Sequence, residues 1–123
     1  MSNLYVNEAK GKMVRTKIAN KNAKEYVTMT ENYLKSFIGS NMFSEWKGYT
    51  YAIYSYGEHF PMYVYDQVSN MWIGNLDKYS PSTSRQQSQT RPYKVDKWVD
   101  TESLKSIVRD GILGYCINQA SNS

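Results

Sequence analysis

Residues 48–92 read GYTYAIYSYGEHFPMYVYDQVSNMWIGNLDKYSPSTSRQQSQTRP, and the architecture turns on them. Six of the twelve tyrosines lie between Tyr49 and Tyr65. Aromatic and β-branched residues crowd positions 49–56 and 60–65, with Gly57-Glu58-His59 between them, a pattern that predicts two strands joined by a turn. Alternation sets Tyr49, Tyr51 and Ile53 against Ala52, Tyr54 and Tyr56 on the first strand. On the second it sets Phe60, Met62 and Val64 against Tyr63 and Tyr65. Residues 66–70 form a turn into a third strand, Met71-Trp72-Ile73, which completes an antiparallel meander. Beyond Tyr79 the character changes: residues 80–92 contain no aliphatic or aromatic side chain other than proline. Ser80-Pro81 is a helix start, with serine as cap and proline in the first helical position. Without an apolar face, however, a short helix or a loop is the most this segment predicts.

Working outward, residues 26–43 have helical spacing. Thr30 can cap, Tyr33, Leu34, Phe37 and Ile38 share a face, and Gly39-Ser40-Asn41 would stop the helix. Residues 13–18 suggest a short strand, followed by a turn at Asn20-Lys21-Asn22. Near the end, Asp100 or Thr101 caps a helix striped by Leu104, Ile107 and Val108, which Gly111 either ends or interrupts. The expected fold is α+β in a single domain, residues 1–123. It has a small antiparallel sheet of three to five strands in a meander, with one or two helices packed on one face.

Hydrophobic residues make up 41% of the 123, enough for one modest core and too many for a disordered chain. The formal charge of +4 is unevenly spread. Lys10, Lys12, Arg15, Lys17, Lys21 and Lys24 form a run with no acid before Glu25. Such a run either docks on phosphate or is a solvated edge. The single cysteine, Cys116, excludes an intramolecular disulfide and a multi-cysteine zinc site. Its apolar surroundings predict a small buried hydrophobe. The absence of a leader-like segment and of an eighteen-residue apolar window predicts no membrane association and a cytoplasmic location.

Catalytic signatures are weak. His59 is the only histidine, and the apolar setting of Cys116 speaks against a Cys116–His59 nucleophile pair. Glu58, Asp66 and Asp77 flank turns, where acids usually serve the turn itself rather than a cation. Glycine-rich phosphate loops are absent. The expectation is a non-enzymatic protein with no cofactor and no metal.

Two surfaces are candidates for binding. In the polar segment Ser82, Thr83 and Ser84 supply hydroxyls at a helix start, Arg85 and Arg91 suit phosphates, and Gln86 and Gln87 suit base edges or a protein partner. In the sheet Tyr54, Tyr56, Tyr63 and Tyr65 could form a platform that stacks unpaired bases. The partner expected is nucleic acid or a nucleic-acid-handling protein complex. The alternative is a homo-oligomer, in which the tyrosine-rich sheet is the interface of a virion or other self-assembling protein.

The series Ser55-Tyr56-Gly57-Glu58-His59-Phe60-Pro61, Trp72, Asn75, Lys78-Tyr79-Ser80 and Thr83-Ser84-Arg85-Gln86-Gln87 resembles a family of small proteins of bacteriophages and other mobile elements. That family has a SYGxxxP strand pair, a tryptophan-bearing strand and a YSxTTSxHQ-like polar box. The resemblance covers about residues 50–92. Ser82 and Gln86 stand where the box has threonine and histidine, so no role that needs the imidazole carries over. No activity is implied. A viral or plasmid accessory protein with a binding or inhibitory role, such as blocking a host defence nuclease, is.

Overall fold

In a computed structural model of the chain, the tyrosine-rich stretch forms the centre of a seven-stranded mixed sheet. The structure describes residues 6–7, 12–13, 16–27, 34–56, 60–78 and 80–121. The short strands β1 (Val6–Asn7) and β2 (Lys12–Met13) pair with each other. Then follow β3 (Thr16–Lys17), a 3-10 turn at Asn20–Asn22, α1 (Ala23–Val27), β4 (Phe37–Ile38), β5 (Met42–Lys47), β6 (Thr50–Ser55) and β7 (Pro61–Asp66). The chain continues through β8 (Met71–Asn75), α2 (Pro81–Thr90), β9 (Lys97–Val99) and α3 (Thr101–Ser121). Strands β3 to β9 lie side by side in sequence order. The inner pairs are antiparallel, while β3–β4 and β8–β9 at the two edges are parallel.

The α+β class and the meander β6–β7–β8 agree with the sequence reading. The sheet is larger than expected and mixed rather than purely antiparallel, because chain before the meander adds β3, β4 and β5 on one side and chain after it adds β9 on the other. The parallel β9 is possible because α2 carries the chain back across one face before β9 begins. The helix expected over residues 26–43 is replaced at its end by β4 and the start of β5. Phe37, Met42 and Trp46 pack in the sheet's core, a tertiary gain that outweighs the local helical spacing. Thr30 and Tyr33 lie outside the described residues.

Helices cover both faces, not one. On the first, Phe37, Met42, Tyr51, Ile53, Met62 and Tyr63 pack with Ala23, Val27 and Leu34. On the second, Ala52, Tyr54, Val64 and Ile73 meet Leu104, Ile107, Val108 and Ile112 of α3. Both faces of β6 and β7 are apolar, so a one-sided layer would leave large aromatic surface in water. A bulge alters the expected alternation. Ile53 pairs with Tyr63 but Tyr54 pairs with Pro61, so Met62 is the extra residue and turns to the same face as Tyr63. Among the described residues no helix is long and apolar enough to cross a membrane.

Helix α3 breaks at Gly111, whose φ of 78° and ψ of 168° are not helical. Asp100 caps its start by accepting from Ser103 N at 2.9 Å, and hydrogen bonds from the Ser103 side chain and then from its backbone hold the Asp100 carboxyl below the usual carboxylate range. Past the break, the Tyr115 hydroxyl donates to Ser103 Oγ at 3.0 Å, so the second half folds back toward the first. Cys116, expected to be buried, is exposed, since this turned-back half presents it outward.

Candidate functional site

The polar segment is an ordered helix of ten residues, α2. Ser80 caps it, accepting from Thr83 N at 3.1 Å, with Pro81 next. Its inward face is polar. Thr83, Gln86, Gln87 and Thr90 are buried, at the spacing of one helix face. The sheet beneath answers with polar groups of its own: Ser55 donates to Gln86 Oε1 and lies 3.3 Å from Thr83 Oγ1, and the Tyr63 hydroxyl donates to Gln87 O at 2.9 Å. Asn75 donates to Pro61 O at 2.7 Å and to Thr101 Oγ1 at 3.1 Å. A helix without an apolar stripe is held here by a nearly satisfied buried network. Within this network Gln87 Oε1 has no hydrogen-bond partner among the described residues.

This arrangement reassigns the sequence candidates. Thr83, Gln86 and Gln87 are buried in the network and do not face a ligand. Ser84 is half-buried beside Arg91, and Ser82 has a side chain outside the described set. Arg85 and Arg91 are both exposed, but Arg85 lies within α2 while Arg91 is the extended residue that follows it, and six residues of helical rotation set them about a third of a turn apart. The four tyrosines do not form one platform. Tyr54 (3% exposed) lies under α3, and Tyr63 (2%) lies under α2 on the opposite face. Tyr65 is half-buried against Trp72 with its hydroxyl on Asn70. Tyr56 is exposed at the end of β6 in a left-handed conformation, φ 65°, where Asn41 Nδ2 donates to its hydroxyl at 3.3 Å. The reason is register: Tyr63 pairs with Ile53, the neighbour of Tyr54 on β6, so Tyr63 faces the other side of the sheet from Tyr54.

What the structure does gather is a basic and aromatic face between α2 and β9. Arg91, Lys78, Ser84 and Ser88 surround a cleft of about 80 Å³ floored by Tyr63, Asn75, Gln87 and Trp98. Trp98 lies flat over Gly74, where any Cβ would stand 2.6 Å from the indole ring. The Arg91 guanidinium sits over the same ring system, 5.1 Å from its centroid. Burial pushes the Tyr63 hydroxyl up to about 12, with the neighbouring Arg91 charge working against it.

The chain from Arg91 to Trp98 is pinned and presented at once. Pro92 is buried, Val95 packs on the core, and Asp96 accepts from Trp72 N at 2.9 Å. Between these anchors Tyr93 stands 84% exposed with Lys24 5.9 Å over its ring, and Lys94 projects beside it, 3.4 Å from Asp96. Lys97 leaves the opposite face of β9 from Trp98 and contributes charge at the edge. Residues 78–98 hold five Lys or Arg and one acid, a net +4; the other ten cations of the chain are matched by ten acids. Sequence reasoning found Arg91 but missed Tyr93, Lys94 and Trp98. The interleaving of aromatic and basic residues over 91–98 was the available signal.

The turn-flanking acids have structural tasks. Asp66 accepts from Ser69 Oγ at 2.6 Å and from Ile112 N at 3.4 Å, and Asp77 accepts from Thr101 N and Oγ1 at 2.9 and 2.6 Å. Glu58 and His59 lie outside the described residues. Compared with protein-family models, with curated proteins and with solved structures, the chain matches none.

Proposed function

We propose that this is a non-enzymatic nucleic-acid-binding accessory protein, and that its ligand is a single strand lying along the face between α2 and β9. The observation that carries the reading is the coincidence of charge and exposed rings. The whole net charge of the chain falls within residues 78–98, the same segment that exposes Tyr93 and Trp98. Cations track a phosphate backbone and rings stack unpaired bases, a pairing suited to single strands. An acidic surface on a nucleic-acid-handling host protein would engage the same cations but would gain little from exposed ring faces. The phage-type origin rests on the motif resemblance over residues 50–92 alone.

The test is fluorescence anisotropy with labelled single- and double-stranded oligonucleotides across a salt series. Lys78→Ala, Arg91→Ala and Lys94→Ala each weaken binding and each reduce the slope of log affinity against log salt by about 0.7–0.9. Tyr93→Ala weakens it by about 1–3 kcal/mol with the slope unchanged. Lys105→Ala, on α3 across the sheet, leaves both parameters alone. No binding at low salt, or affinity indifferent to Arg91 and Lys94, refutes the reading, and an acidic protein partner becomes the one to seek.

A further inference from the structure

A second groove, of about 470 Å³, lies on the α3 side of the sheet between the β5–β6 turn, the β7–β8 turn and the break at Gly111. Nine large apolar residues are exposed among the described ones, and four of them line this groove: Tyr49, Val68, Leu113 and Ile117, each 56–69% exposed. Leu113 and Ile117 are one helical turn apart and make a ridge along the second half of α3, with exposed Cys116 on the same stripe.

We infer that this face binds a second copy of the chain about a two-fold axis, each Leu113–Ile117 ridge seated in the other's groove. Charge argues for self-association. The rim carries Lys47, ion-paired at 3.1 Å to the buried Glu45, and Arg109 with Asp110 at 3.2 Å, so each rim cation is neutralised by an acid and does not repel its own image. The basic face between α2 and β9 would repel its copy, and a polyanion gains nothing from the neutral rim. Area sets the strength. The four apolar side chains expose about 400 Å², the size of a functional patch on a monomer. That is well below the roughly 800 Å² per partner of a standard stable interface, so the dimer is weak and concentration-dependent. It holds independently of the nucleic-acid reading.

Sedimentation velocity from low micromolar to near-millimolar protein tests it. The average mass rises with concentration from 14.3 kDa toward twice that value and no further. Leu113→Glu and Ile117→Glu stay monomeric, while Leu76→Glu, at an exposed apolar site elsewhere, dimerises like the parent. A mass constant over the whole range overturns the proposal, as does a rise that survives both groove substitutions or continues past the dimer. Should a glutamate variant lose its circular dichroism, maleimide labelling of Cys116 in the parent decides. Labelling that slows with concentration supports the interface, and a rate independent of concentration overturns it.

Discussion

Tyr63 shows how one side chain can be legible as a strand residue and illegible as a site. Its place on β7 follows from alternation, but its burial under α2 comes from Gln87, twenty-four residues along, accepting its hydroxyl proton. That burial raises its pKa from 10.0 to about 12. A phenol held neutral in the fold but free to ionise when unfolded stabilises the protein fully below pH 10, and the contribution is lost as pH rises from 10 toward 12. Urea unfolding across that range should show Tyr63→Phe about 1 kcal/mol less stable at neutral pH, through the orphaned Gln87 carbonyl. The gap to the parent should narrow as the pH climbs. A gap that stays constant would mean that the hydroxyl does not titrate late. Gly74 is a parallel case: a glycine inside a strand announces a close approach, yet nothing local says that Trp98 is what approaches.

At the scale of elements, caps were readable and faces were not. Ser80 and Asp100 cap as their residue types predict, because a cap needs only neighbours within one turn. Helix α2 exceeded its expectation because its inward side chains are polar and find Ser55 and Asn41, twenty-eight or more residues away. Gly111 was legible as a break, while the Asp66 carboxylate that serves the restarted helix was not. Its φ of 78° with ψ of 168° is a conformation essentially reserved for glycine. Gly111→Ala should therefore cost about 1–3 kcal/mol in urea unfolding, by strain at that conformation. Because Leu113 and Ile117 are set by the same break, the variant should also weaken self-association. Unaltered stability would show that the break does not depend on glycine.

Across the whole molecule, β6 and β7 are buried along nearly their whole length, contribute to the cores on both faces and are hydrogen-bonded on both edges. Their amides should exchange with solvent most slowly, near the global unfolding free energy, while those of the edge strands β3 and β9 exchange first. Fast exchange in β6 would mean that the two layers do not unfold as one.

Alternation, turn chemistry and capping are relations among residues a few positions apart, and the chain states them openly. They were enough for the central meander, the α3 stripe with its interruption, and the concentration of polar residues at 80–92. Contacts between distant residues settled the rest: β5 and β9 joining the sheet, α2 lying polar side down, and Tyr54 and Tyr63 burying on opposite faces. The same contacts gathered Lys78, Arg91 and Trp98 around one cleft. The physical reason is that burial, not local preference, chooses between strand and helix for a segment such as 34–43. Burial exists only once both faces of the sheet have found their covers.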